Sequence, residues 1–170
     1  MPADLRPETI LAQAAGAIDA ETGAIVPPVH IATTYIRDPD NQYRKGYAYG
    51  RPDNATVRQT EAVLNALEGA AASLLFSSGM AAATSLFLAL PRPAHVVAPR
   101  VMYWALRKWL MQDASTYGIS VTLVDAADLD AIAATVRPGE TKLVWIETPA
   151  NPLWTITDIA GAADIAHRAD

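Results

Sequence analysis

The sequence predicts an α/β fold with a mostly parallel sheet, and two observations predict it. From residue 72 onward, short apolar runs at 72–76, 95–98, 120–124 and 142–146 alternate with helical stretches over about 80–90, 103–117, 128–136 and 157–168. Alternation of this kind places parallel strands side by side with helices crossing between them. The runs are also continuously apolar rather than alternating, as expected of strands buried on both faces.

The elements follow in chain order. Residues 1–53 read as an arm: Pro27-Pro28, Asp38-Pro39-Asp40 and the tyrosines Tyr43, Tyr47 and Tyr49 leave room for only one short helix, near 7–14. At Asn54 the texture changes. Val57, Thr60, Val63, Leu64 and Leu67 recur at three- and four-residue spacings and Gly69 supplies a stop, which predicts a helix over 54–68. The expected division is therefore an arm over 1–53 and an α/β domain over 54–170. The last predicted helix ends without a glycine cap or a following strand, so the α/β domain is expected to be the first part of a larger one.

Composition excludes several functions. The chain carries 13 Lys+Arg against 18 Asp+Glu, a net charge of −5, with no run of basic residues, so neither nucleic acid nor an anionic membrane is an expected partner. With no cysteine, disulfide frameworks, thiolate zinc sites and cysteine nucleophiles are ruled out. The three histidines, His30, His95 and His167, have no metal-ligand spacing, and no metal is expected. There is no G-x-G-x-x-G and no Walker A loop, which argues against NAD and ATP. The N-terminus lacks the order of a secretory signal, and a cytoplasmic location is expected.

Four segments can carry chemistry. In Phe76-Ser77-Ser78-Gly79-Met80, two hydroxyls and a glycine lead directly into a helix. The first N–H groups of a helix have no internal partner and its dipole favours an anion, so this is either a phosphate site or a plain N-cap by Ser77 or Ser78. In Tyr47-Ala48-Tyr49-Gly50-Arg51, a phenol and a guanidinium two residues apart point to one side of an extended chain and could grip a phosphate, or form an ordinary surface loop. Glu147-Thr148-Pro149-Ala150-Asn151-Pro152 and Tyr103-Trp104 stand at the C-terminal ends of predicted strands, where open α/β sheets place ligand contacts. Prolines in the one and aromatic packing in the other offer structural alternatives.

In their order along the chain these segments resemble the Cys/Met-metabolism (transsulfuration) family of pyridoxal-phosphate enzymes, the group of cystathionine γ-synthase and cystathionine γ-lyase. The resemblance runs from Gly23-Ala24-Ile25-Val26-Pro27-Pro28, through Tyr49-Gly50-Arg51, Leu67-Glu68-Gly69 and Ser77-Ser78-Gly79-Met80, to Glu147-Thr148-Pro149-Ala150-Asn151-Pro152 and Asp158-Ile159. It implies the aspartate-aminotransferase-like fold type I, of which this chain would hold the arm and the first part of the large domain that binds pyridoxal 5′-phosphate.

By the same resemblance, Ser78, Gly79 and Met80 cradle the cofactor phosphate, and Tyr49 and Arg51 reach across a dimer interface to the neighbouring subunit's phosphate. Tyr103 stacks on the pyridine ring and assists proton movement, Asn151 hydrogen-bonds the ring hydroxyl, and Glu147 supports that corner. A homo-oligomer is implied, a tetramer of active dimers, acting on a sulfur-containing or O-acylated homoserine amino acid by elimination or replacement. The pattern departs from the family at Ala55, where proline is common, and at Trp104-Ala105, where two glycines are usual. The family's cofactor-holding lysine follows later than position 170, and Lys45, Lys108 and Lys142 are not in its context. The chain alone is therefore expected to be inactive; the alternative is a non-catalytic phosphate-binding or subunit-interface module.

Overall fold

The computed structural model describes residues 5–169. The chain divides into two units, one running through Leu75 and the other starting at Phe76. In the first unit, α1 (Pro7–Ala12) begins on a proline whose missing N–H costs a first helical turn nothing. Helix α2 (Ala55–Glu68) is capped by Asn54, whose side chain accepts from the Val57 N–H at 3.0 Å, and ends on Gly69 in the left-handed region. Ala55 thus holds the first helical position, where alanine serves as well as the proline that the resemblance leads one to expect.

Helix α2 packs on α1, and the Gln59 amide donates to the Ala14 carbonyl at 2.8 Å. This helix therefore belongs with α1 in the first unit. Between the helices the arm is irregular but pinned: the Tyr35 and Tyr47 rings stack at 5.3 Å and the Arg58 guanidinium lies 4.4 Å over Tyr47.

The second unit is a three-stranded parallel sheet in the order β2-β1-β3, with β1 Ala94–Pro99, β2 Ile119–Val124 and β3 Thr141–Val144. Strand β1 is wholly buried, as its unbroken apolar run predicts. Its side chains alternate between two cores. Ala94, Val96 and Ala98 meet α3 (Gly79–Ala89) and α4 (Trp104–Gln112) through Phe87, Leu106 and Leu110. Val97 meets α5 (Leu129–Thr135) and α6 (Ile159–His167) through Ile132 and Ala162 on the other face. Successive crossovers that run to opposite sides of β1 must place their helices on opposite faces if each is right-handed, and α4 and α5 lie that way.

Two expectations change. The run 72–76 pairs with no strand among the described residues, and Leu74, Leu75 and Phe76 are exposed. Apolar composition favours a strand, but a strand forms only where a neighbour takes up its N–H and C=O groups. The helix expected over 103–117 gives way at Asp113 to a 3₁₀ turn over Ala114–Tyr117, which Gly118 closes with a positive φ.

His95 is 3% exposed on the central strand, and its two ring nitrogens meet the Thr141 hydroxyl at 2.8 Å and the Thr122 hydroxyl at 2.9 Å, one on each neighbouring strand. Burial, helped by the positive charge of Arg137 and opposed by Glu140, lowers its pKa from the ordinary 6.5. The unfolded chain then binds a proton that the folded one refuses, so stability is full above the ordinary value and declines as pH falls from there toward the lowered one. The thermal midpoint should fall between pH 7.5 and 5.5, and His95→Gln should flatten that slope. An unchanged slope in the variant would assign the acid sensitivity to other groups.

Candidate functional site

The second unit carries its chemistry at the C-terminal edge of the sheet. Strand β1 sits between successors that lie on opposite sides of it, the arrangement in which neighbouring loops part and leave a crevice. A cavity of about 540 Å³ opens there, between the start of α3, the start of α4 and the segment that follows β3.

Its polar end is the head of α3. Ser78 is extended, and its hydroxyl accepts from the Ala81 N–H at 3.1 Å, so of the two serines this one is the N-cap. The N–H groups of Gly79 and Met80 have no acceptor among the described residues. A Cβ on Gly79 would meet no atom within 4 Å, so the helix head faces open space. Unpartnered N–H groups with a helix dipole behind them and a hydroxyl beside them are an anion-binding arrangement.

The walls are apolar. Leu86, Leu106 and Trp145 line the cavity, and Tyr103 stands at its mouth with its ring half-exposed. Among the described residues, Glu147 is the only charged one in the lining. One of its carboxylate oxygens accepts from the Tyr103 backbone N–H at 2.8 Å and the other from the Trp145 indole N–H at 3.1 Å. A largely apolar cavity with an aromatic side chain at its mouth and an anion-binding end suits an aromatic ring that bears a phosphate, and in that sense these residues fit pyridoxal 5′-phosphate.

Five of the residues singled out in the sequence, Ser78, Gly79, Met80, Tyr103 and Glu147, thus line one cavity. Asn151 does not; it is exposed in the short loop that the Ala150–Thr155 bridge closes. Trp104 is exposed and also outside the lining. Sequence reasoning passed over Trp145 as a site residue, although it lies two residues from Glu147 in an extended segment and period-two spacing places both on one side. No lysine lines the cavity: Lys108 is exposed on α4, and Lys142, near the start of β3, donates to the Gly139 carbonyl at 2.8 Å.

Tyr49 and Arg51 lie in the first unit and pair with each other. The guanidinium donates to the Tyr49 hydroxyl at 3.1 Å and its carbon lies 5.2 Å from the ring centroid. Gly50, between them, donates to the Thr33 carbonyl at 2.8 Å within the Thr34–Tyr49 bridge. A Cβ there would stand 2.5 Å from the Ala32 carbonyl oxygen, a backbone atom that cannot rotate away. Gly50→Ala should therefore break the bridge at a cost of about 1–3 kcal/mol, read as lost hydrogen-exchange protection at residues 49–51. Retained protection would mean that the arm adapts.

The profile of the family described as "Cys/Met metabolism PLP-dependent enzyme" matches residues 8–170. The chain belongs to this family. It is 35% identical to human cystathionine gamma-lyase over 145 residues, which cover 85% of this chain and 35% of that protein. It is 38% identical to cystathionine gamma-synthase of Mycobacterium tuberculosis H37Rv over 148 residues, 86% of this chain and 38% of the relative. The crystal structure of metB from Corynebacterium glutamicum superposes with a TM-score of 0.86 at 34% identity, over 96% of this chain and 44% of that one.

The chain therefore spans less than half the length of these relatives. The family is pyridoxal-phosphate-dependent, and the fold is that of a fold type I fragment, as expected from the sequence. Among the described residues no helix is long and apolar enough to cross a membrane.

Proposed function

We propose that this chain supplies the phosphate-holding and ring-stacking part of the active site of a pyridoxal-phosphate enzyme acting on sulfur-containing or O-acylated homoserine amino acids. The observation that carries the reading is the head of α3, with its two unpartnered N–H groups, opening on a slot whose mouth holds Tyr103. When bound, pyridoxal 5′-phosphate supplies an electron sink for chemistry at the α-carbon of the amino acid.

The residues of the chain divide the remaining work. Ser78, Gly79 and Met80 hold the phosphate and so fix the ring's depth in the slot. Leu86 and Leu106 exclude water along the walls. Tyr103 would stack on the ring, and its hydroxyl is the group at the mouth that can carry a proton. Asn151, exposed and outside this lining, would meet the ring hydroxyl only by the role that the family resemblance gives it.

The cavity lining contains no cation, so a doubly charged phosphate needs one from elsewhere. Tyr49 and Arg51, already held as a pair, supply it to a neighbouring subunit, which makes the working unit a dimer; assembly of such dimers into a tetramer follows from the family resemblance alone. With no lysine at the cavity, the 170 residues do not turn substrate over by themselves.

Quenching of tryptophan emission tests this reading. Pyridoxal 5′-phosphate should bind at least about tenfold more tightly than pyridoxal, which lacks the phosphate. Equal affinities would overturn the assignment of the α3 head as the phosphate site.

A further inference from the structure

Tyr103 occupies the N-cap of α4, a position that its side chain cannot serve: it makes no capping hydrogen bond, and the first turn of the helix has no acidic residue. The N-cap preferences of Ser, Thr, Asp and Asn come from an oxygen that answers the orphan N–H groups, which a phenol on a long ring cannot do. The residue is 52% exposed, and its hydroxyl has no hydrogen-bond partner among the described residues. Neither burial nor its own polar atom therefore fixes where the ring stands.

What holds the residue is a carboxylate from 44 positions further along the chain. Glu147 accepts the Tyr103 N–H and brings a negative charge to the positive end of the α4 dipole, which local sequence does not supply. Glu147 is held in turn. Its second oxygen takes the Trp145 indole N–H, and the indole ring lies 5.3 Å from Phe87, which is fully buried between α3 and the sheet. A line of contacts thus runs from the core to the mouth of the cavity, through Phe87, Trp145, Glu147 and Tyr103.

On this basis we infer that Glu147 is a positioning residue: it acts on the bound ring through the Tyr103 backbone, not by touching the cofactor. The inference rests on the reading of the cavity as the pyridoxal-phosphate site. Both carboxylate oxygens are engaged inside the protein, and the residue is half-buried in the wall, so its negative charge is spent on the helix start and the indole instead of facing a phosphate that it would repel.

The test combines amide exchange with a double-mutant cycle read by pyridoxal 5′-phosphate binding. Glu147→Ala should speed exchange of the Tyr103 N–H about tenfold and weaken binding of pyridoxal 5′-phosphate about tenfold. Glu147→Gln keeps the volume and one acceptor without the charge, and should fall between the two; it also serves if the alanine variant unfolds. In a Tyr103→Ala background, removing Glu147 should cost no further affinity, because its effect passes through Tyr103. An equal loss in that background would mean direct contact with the cofactor and overturn the inference, as would unchanged exchange at Tyr103. If the unmodified protein binds no pyridoxal 5′-phosphate, the functional reading falls; if it binds and Glu147→Ala binds equally well, only the positioning role falls.

Discussion

Replacing Phe87 by alanine should destabilise the protein by about 3–5 kcal/mol, the largest stability loss expected of any single truncation here. The ring is fully buried, and it meets Trp109 at 5.9 Å and Trp145 at 5.3 Å, so its removal leaves a cavity bounded by two large rigid rings that cannot collapse into it. Ile132→Val, in the core on the opposite face, removes one methylene and should cost about 0.5–1.5 kcal/mol. Urea unfolding followed by tryptophan emission measures both. The two should also differ in binding. Phe87 backs Trp145, which backs Glu147, so its truncation loosens the cavity wall, whereas Ile132 lies behind the other face of the sheet. A loss below about 1.5 kcal/mol for Phe87→Ala would show that this core repacks around the gap.

Gly79→Pro should weaken pyridoxal 5′-phosphate binding by about tenfold or more while leaving the fold intact. Proline is favoured at the first position of a helix because the N–H it lacks has no helical partner there. The residue before it must be extended, and Ser78 already is, with φ −159° and ψ 157°. The substitution therefore deletes one of the two unpartnered donors at the α3 head without breaking a helical hydrogen bond. Gly79→Ala is the control: its Cβ would meet nothing within 4 Å, the N–H stays, and stability should not fall. Binding by the proline variant at unmodified strength would place the phosphate elsewhere. Binding lost equally in both variants would point to steric bulk at the mouth and not to the donor.

Much of this was legible in the sequence because it is written locally. The three parallel strands, the helix expected over 54–68 with its stop at Gly69, and the serine cap of α3 each depend on residues within one turn or one run, and each stands within a residue or two of where periodicity and cap chemistry place it. What was hidden depends on distant partners. Residues 72–76 have strand composition but no neighbour among the described residues, which no window of sequence reveals. Helix α2 has the pattern of a domain's first helix yet packs on α1, because its apolar stripe carries no label for its partner. At the site, the α3 head could be inferred from the order serine, glycine, helix, whereas the bond from Tyr103 to Glu147 joins two segments that only the fold brings together.

That bond also bears on how readily the site can change. A helix start capped by its own side chain ties the identity of its first residues to stability, so each exchange there carries a thermodynamic penalty. In α4 the cap comes from after β3, and the first helical residues Trp104 and Ala105 have no capping duty. Divergence at these two positions can proceed by single steps that leave the helix standing. Trp104 and Ala105, which stand where the family resemblance implies glycines, lie next to Tyr103 on a backbone whose anchorage is beyond their own reach.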